Sequence, residues 1–324
     1  RFAGAFGACP LMDDDFAPLA WPRVSLRAQG LEAALRWRPL EGRTEPPWLL
    51  VHSINAAASS AELAPLAHRL SAQASVALLD LPGFGDAPRP CRRYTIEDYV
   101  ASIAEAQRWV AETAGQAPVL CALSLSAEFA ARAVLWGAPR PPAVLWISPT
   151  GLDGRALRRS EPLAPPGQPV PHRGSERVYG WLQGRALGRW AFRLLRRPSV
   201  IRYFLRRTFG RREIDEGLWR AACDKAQAPG AEHAPLAFLS GRLFSRDAAA
   251  LYRALTVPQV IIHGCRGDFQ DYRGASALAA EAPGGVQVHA LDTGALPHLE
   301  APEAFASALN SSFAAISAPV ARAP

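Results

Sequence analysis

The chain has 324 residues, 49% of them hydrophobic, and a net charge of +7. This length suits one large α/β domain or a domain that carries an insertion, and the apolar content predicts a well-filled core. No run of about 18 apolar residues occurs, so a membrane-spanning helix is not expected. The five cysteines are scattered and form no CxxC pair. Together with the lack of a signal-peptide pattern, they predict a cytoplasmic protein with reduced thiols.

Arginine carries almost all of the positive charge, since Lys225 is the only lysine. A coding bias toward arginine and alanine explains much of this balance, and no nucleic-acid-binding module is recognisable, so nucleic acid is not an expected partner. No histidine or cysteine cluster has the spacing of a metal site. The sequence therefore predicts neither a metal nor an organic cofactor.

Strand and helix patterns alternate through the first half of the chain. Residues 1–21 are predicted to form a poorly ordered lead-in, and two short strands about Gly30 form a hairpin. Strands separated by helices of crossover length then predict a mainly parallel sheet with helices on both faces. The predicted strands are 24–27, 32–37, 48–52, 75–80, 118–122 and 143–147, and the helices are 61–70, 95–114 and one from about 126.

A helical block interrupts this alternation. Residues 154–249 show no clear strand pattern and are rich in arginine and tryptophan, and their proline-rich stretch at 161–172 is predicted to form a hinge or loop into the insertion. Strands return at 257–263 and 286–291, followed by a helix at 302–316. We therefore predict a core formed by residues 22–153 and 250–324, with residues 154–249 inserted after the sixth strand as a helical cap.

One serine falls on a very short strand-to-helix turn. The apolar run 118–122 indicates a buried strand, an alanine-rich helix begins near Ser126, and Ser124 lies between them. This is the context of a nucleophile elbow, in which the turn lifts the serine hydroxyl above the sheet. Ala122 and Ser126 stand where the elbow pattern usually has glycine. The alternative is a serine that caps the following helix.

Five motifs in this order resemble those of the α/β-hydrolase family. They are the strand and oxyanion loop at 49–53, the Asp-x-Pro-Gly-x-Gly turn at 80–85, the elbow at 122–128, the acid loop at 262–268 and the histidine loop at 294–303. The resemblance covers about residues 22 to 318. It implies a mainly parallel eight-stranded sheet with a helical cap, and the variants at 52–57 and at the elbow resemble those of a bacterial subgroup.

The resemblance implies a Ser-His-Asp site. Ser124 would be the nucleophile, and Asp268, or else Asp271, would orient the histidine. The family's usual Gly-His pair would place histidine at position 295, where this chain has Ala295. His298, three residues later, is then the predicted base, unless it only hydrogen-bonds within its loop or the site lacks a base.

The same resemblance implies an oxyanion hole built from the backbone N–H groups of Ile54 and Leu125. Ser53 replaces the glycine of the family's oxyanion loop. Asn55 offers an additional side-chain donor, although a turn residue is the alternative interpretation. Ser53 and Asn55 are therefore supporting candidates.

These observations predict a serine hydrolase that cleaves an ester or a related acyl bond in a small molecule with an apolar acyl part. The alternative is a non-hydrolytic protein that holds a hydrophobic ligand under the cap. The missing Gly-His pair and the altered glycines favour that alternative.

The cap alternates arginines with tryptophan, phenylalanine and leucine. Such a pattern is typical of a helix that contacts an anionic membrane surface. The alternative is a helix whose apolar face covers the site while its arginines are solvated. The arginines are Arg185, Arg189, Arg193, Arg196, Arg197, Arg202, Arg206 and Arg207.

Overall fold

The computed structural model describes residues 16, 19–42, 44–158, 161–183, 186–268 and 271–317. Most of the lead-in predicted at 1–21 lies outside the described residues. Of that segment, Phe16 and Leu19 are buried against the core.

Eight strands form one sheet in the order β1-β2-β4-β3-β5-β6-β7-β8. Strand β2 is antiparallel to both of its neighbours, and all the other pairs are parallel. The predicted mainly parallel eight-stranded sheet is therefore confirmed. The strands are β1 (Arg23–Ala28), β2 (Leu31–Arg38), β3 (Trp48–Val51), β4 (Val76–Asp80), β5 (Val119–Leu123), β6 (Val144–Ile147), β7 (Gln259–Gly264) and β8 (Val286–Leu291).

Helices lie on both faces of this sheet, as the crossover pattern predicts. The longest begins with a capping box, in which Thr95 and Asp98 each bond the other's backbone N–H, and it ends at Gly115 in the left-handed conformation. The core helices are α1 (Ala64–Leu70), α2 (Ile96–Ala114), α3 (Ser126–Leu135), α11 (Arg273–Glu281), α12 (Pro297–Glu300) and α13 (Pro302–Ser317).

In its described residues, the segment between β6 and β7 consists of helices joined by turns and irregular loops, and its only β structure there is one isolated bridge between His172 and Ser245. We keep the name cap for residues 154–249. Its helices are α4 (Gly154–Arg158), α5 (Glu176–Gln183), α6 (Ala186–Leu195), α7 (Pro198–Phe209), α8 (Glu216–Gln227), α9 (His233–Leu239) and α10 (Ala248–Ala254), the last of which runs past the cap's predicted end.

Alternate residues of the central strands pack on opposite faces of the sheet. In β3, for example, Leu49 and Val51 join the cluster that includes α2 and α3, whereas Leu50 joins the cluster that includes α1 and α13. Every residue of β3, β4, β5, β6 and β7 is buried. Because β3, β5, β6, β7 and β8 are parallel, their carboxyl ends share one edge, where ligands bind in sheets of this kind.

The turn after β4 is held by a buried carboxylate. Asp80 accepts the backbone N–H groups of Ser60 (2.7 Å) and Asp86 (3.0 Å). A Cβ on Gly85 would lie 1.8 Å from Asp80 Oδ1, so the last glycine of the Asp-x-Pro-Gly-x-Gly motif cannot carry a side chain. This contact explains in physical terms why the motif pairs an aspartate with that glycine.

A buried ion pair joins α3 to the start of α10. Arg132 Nη2 lies 2.5 Å from Asp247 Oδ1, and both side chains are buried. The other carboxylate oxygen of Asp247 accepts the N–H of Ala164 at 3.0 Å. Residues at both ends of the cap are thereby tied to the helix that follows the elbow.

Candidate active site

Ser124 has the backbone geometry of a nucleophile elbow. Strand β5 ends one residue before it and α3 begins two residues after it. Its φ of 57° is unusual for a residue with a side chain. The N–H of Ser124 donates to Ile147 O at 2.8 Å, and its carbonyl accepts the N–H of Ala127 at 3.1 Å. A strained position that its surroundings hold this firmly is typical of a functional residue.

Ser126, the other serine of the turn, has a packing role. Its side chain is fully buried, and its hydroxyl donates to the carbonyl of His52 at the end of β3. The side chain of this first residue of α3 lies against the backbone just after β3, which explains why the elbow pattern requires a small side chain there.

Two buried residues of the elbow and the loop after β3 have backbone N–H groups without a partner among the described residues. The N–H groups of Ile54 and Leu125 donate no hydrogen bond to any residue that the structure describes, although both residues are buried. Buried backbone donors are nearly always paired in native proteins. Neither of the two N–H groups predicted as oxyanion donors is used by a described residue of the protein.

Glu62, which follows β3, is a residue that sequence reasoning missed. Its buried carboxylate accepts the N–H and the hydroxyl of Ser53 and the side-chain amide of Asn55, each at 2.9 Å. The Asn55 oxygen accepts the N–H of Ala57. The side chains of Ser53 and Asn55 thus brace the oxyanion loop against Glu62. The Ser-x-x-Glu pattern at 59–62 is a visible signal, but it is also typical of a capping box.

His298 lies behind this loop. Its ring is 2% exposed, and its Nε2 lies 2.8 Å from the carbonyl oxygen of Glu62. A carbonyl only accepts hydrogen bonds, so Nε2 carries the proton, and Nδ1 is buried without a partner. Neither ring nitrogen bonds to Ser124 or to Asp268.

Burial gives His298 a weakly basic ring. It lowers the pKa of His298 to about 4, although the bond to the Glu62 carbonyl opposes the shift. The ring is therefore neutral at pH 7. Neutral imidazole can accept a proton, but a base this weak is poorly matched to catalysis near neutral pH.

We expect acid to destabilise the protein through His298. In the unfolded chain His298 binds a proton near pH 6.5, whereas in the folded chain it binds one only near pH 4. The free energy of unfolding should therefore fall across this window, by up to about 3 kcal/mol. Urea unfolding at pH 7 and pH 4.5 measures the fall. His298→Gln, which does not titrate, should show a smaller one, and equal falls in both proteins would contradict the assignment.

The two candidate acids pair with arginines. Asp268 lies in the loop after β7 and pairs with Arg207 of α7, with 2.5 Å between Oδ2 and Nε. Asp271 pairs with Arg273 and also accepts the N–H of Gly154 at 3.2 Å. The acid loop is thus brought against the cap. The structure places Ser124, Asp268 and His298 at one edge of the sheet without a hydrogen-bonded relay among them.

The end of α7 contacts the histidine loop directly. The N–H of Ala295 donates to the carbonyl of Thr208 at 2.8 Å. A Cβ on Gly294 would lie 2.2 Å from that same oxygen, so the approach requires glycine. Ala295, at the family's usual histidine position, is consequently buried beneath the cap.

A buried carboxyl lies one helical turn beyond the elbow. Glu128 accepts hydrogen bonds from the hydroxyls of Thr150 and Ser245 and from the N–H of Ser245. Burial raises the pKa of Glu128, and these donors oppose the shift. Because Ser245 belongs to the cap, the start of α3 and the cap share one polar network.

The described residues contain no group of three or more His, Cys, Asp or Glu side chains placed to hold a metal ion. None of the helices described there is long and apolar enough to cross a bilayer.

The sequence matches the model of the alpha/beta hydrolase family over residues 48–308. The chain therefore belongs to this family, and we class it as an α/β-fold hydrolase. The fold and the family predicted from the five motifs are confirmed. No curated protein sequence matches the chain.

Several solved structures share this fold. A bacterial membrane phospholipase A, described as a virulence factor, has 19% identity and a TM-score of 0.67, covering 95% of this chain and 89% of that one. An esterase from Thermogutta terrifontis has 18% identity and a TM-score of 0.66, covering 92% and 100%. The carboxylesterase CesB from Bacillus subtilis has 14% identity and a TM-score of 0.65, covering 94% and 95%. Likenesses at such low identity show the fold.

Proposed function

We propose that the chain hydrolyses an ester or a related acyl compound with an apolar acyl part, and that Ser124 is its nucleophile. One observation carries this proposal. Ser124 is held at a positive φ on the elbow, while the N–H groups of the buried residues Leu125 and Ile54 have no partner within the part of the chain that the structure describes. The esterases and the phospholipase among the similar structures support the substrate class.

The chemistry follows from these groups. The Ser124 oxygen would attack the carbonyl carbon, and the carbonyl oxygen would take up the negative charge. The N–H groups of Leu125 and Ile54 would donate to that oxygen, and removing one such donor typically costs about 3–4 kcal/mol. Loss of the alcohol leaves an acyl-serine, which water then cleaves.

Proton transfer is the step that requires a rearrangement. We propose His298 as the base, with Asp268 orienting it, as the family pattern implies. To act in this way, His298 must leave the Glu62 carbonyl, and Asp268 must leave Arg207. Because neither step is completed in this structure, we expect slow turnover.

Labelling with a fluorophosphonate probe tests the nucleophile. We expect the wild-type protein to be labelled and to release p-nitrophenol from short-chain esters, and we expect Ser124→Ala to do neither. Ser126→Ala is the matched control, because it removes the neighbouring hydroxyl, and it should still be labelled. Labelling that persists in Ser124→Ala would contradict the assignment.

The second candidate function is the binding of a hydrophobic ligand without hydrolysis. Two observations favour it: Ala295 occupies the family's usual histidine position, and Asp268 is engaged by Arg207. A folded protein that the probe fails to label, but that retains a fatty-acyl ester without cleaving it, would favour this candidate over the first.

A further inference from the structure

Three helices of the cap expose most of the large apolar side chains found on the described surface. Eight such side chains are exposed there, and six of them lie on α5, α6 and α7. Trp190 is the most exposed, at 61%. Single exposed apolar residues are ordinary, but a concentration of them on one part of a surface marks an interaction site. The six are Val178, Trp181, Trp190, Leu194, Tyr203 and Phe204.

These side chains are not the core of the cap. On α6 Phe192 is buried, whereas Trp190 and Leu194, four positions apart, are exposed. On α7, Ile201 and Phe209 are buried, while the adjacent residues 203 and 204 are exposed. Each helix therefore covers the interior with one apolar face and presents a second one outward.

The same segment is strongly cationic. From residue 177 to residue 212 the sequence contains eleven arginines and no Asp, Glu or Lys. Three of these arginines pair with a described carboxylate: Arg202 with Glu216, Arg207 with Asp268 and Arg211 with Glu300. The eleven are Arg177, Arg185, Arg189, Arg193, Arg196, Arg197, Arg202, Arg206, Arg207, Arg211 and Arg212.

Several of the remaining arginines face solvent without an acidic partner. Arg193 and Arg197 are exposed, and neither forms an ion pair with any described residue. They flank the exposed Leu194 in sequence. Unpaired positive charge thus lies beside outward-facing aromatic and aliphatic side chains, an arrangement whose electrostatic complement is a negatively charged, partly apolar surface.

We propose that the outer face of α5, α6 and α7 docks onto a membrane surface that contains anionic lipid. Tryptophan and tyrosine favour the boundary between headgroups and acyl chains. Each arginine near an anionic leaflet adds about 1 kcal/mol of attraction. The membrane is a better match than nucleic acid, because the exposed side chains include aliphatic Val178 and Leu194 beside the aromatic rings, and these suit acyl chains. Docking at this face would place the membrane over the cap, and it does not depend on the chemistry of Ser124.

Vesicle co-sedimentation of the whole protein tests the proposal. We expect binding to phosphatidylcholine vesicles that contain phosphatidylglycerol, little binding to phosphatidylcholine alone, and loss of binding as salt is raised. Arg193→Glu/Arg197→Glu should weaken binding at least tenfold. The matched control, Arg27→Glu/Arg38→Glu, makes the same charge change at exposed positions of the β1–β2 hairpin and should bind nearly as well as wild type.

The apolar contribution has its own test. Trp190→Ala removes no charge and alters a side chain that is mostly exposed, so it should fold normally and weaken vesicle binding several-fold. Absence of binding to anionic vesicles at low salt would overturn the proposal, as would equal binding by both arginine variants. Retention of duplex RNA without vesicle binding would also overturn it and would identify nucleic acid as the partner of this face.

Discussion

Replacing Ala295 with histidine is expected to raise kcat/KM for a p-nitrophenyl ester by roughly 10²–10⁴-fold, the usual contribution of a positioned general base. The elbow and the unpaired N–H groups of Ile54 and Leu125 are already present in the structure. Among the residues that the structure describes, no histidine nitrogen lies within hydrogen-bond reach of Ser124. The proposed base, His298, instead directs its Nε2 to the carbonyl of Glu62.

The acid loop sets the size of this gain. Asp268 is held by Arg207, so a histidine at position 295 competes with an arginine for its partner. Arg207→Gln in the same protein should free the carboxylate and increase the gain further. Circular dichroism would show that each variant is folded, which matters because Ala295 lies beneath the end of α7.

Two comparisons make the result interpretable. Ala295→Asn supplies a polar side chain without a ring that titrates near neutral pH, and it should leave the rate nearly unchanged. Ser124→Ala combined with Ala295→His should abolish the gain. A folded Ala295→His protein without any increase would show that the elbow serine does not receive substrate productively, and this outcome would favour the binding function.

We expect Asp247→Asn to lower the free energy of unfolding by about 3–5 kcal/mol, the cost of breaking a buried ion pair from one side. Asp247 and Arg132 are both buried, and Arg132 Nε and Nη1 have no hydrogen-bond partner. The substitution leaves a guanidinium in a dry interior without a counter-charge. The guanidinium keeps its contact with the ring of Trp136, which lies 5.4 Å from its central carbon.

Urea unfolding of four proteins measures this coupling. Arg132→Met fills a similar volume without a charge, and the double variant Arg132→Met/Asp247→Asn should lose clearly less than the sum of the single losses. Additive losses would contradict the view that the ion pair acts as a unit. Arg108→Met serves as a surface control, because its partner Glu105 is partly exposed and such pairs contribute about 0–1 kcal/mol.

The fold was predictable because its signals are local. The strand at 119–123 and the helix from Ser126 are separated by two residues, so the elbow is evident from the pattern alone. The turn at Asp80 was equally evident, since the aspartate and Gly85 that contact each other lie five positions apart. Hydrophobic periodicity and turn-forming residues both depend on neighbours within a few positions, so the sequence displays them directly.

The internal arrangement of the site was not predictable in the same way. The bond between His298 and the Glu62 carbonyl joins residues 236 positions apart, and Arg207 meets Asp268 across 61 positions. A motif places His298 in the correct loop, but the direction of its ring depends on which acceptors the fold brings nearby. Glu62 itself gives a capping signal in the sequence, while its carboxylate serves the oxyanion loop.

The bond between His298 and Glu62 also bears on folding. A contact of such long sequence separation closes late, because the entropy of ordering the intervening chain must be offset first. During synthesis, the oxyanion loop would emerge long before the helix that buttresses it from behind. We therefore expect the loop after β3 to reach its final geometry only when the last strand and α12 have docked, so that a partly synthesised chain would have the sheet and the elbow but not the buttressed loop beside them.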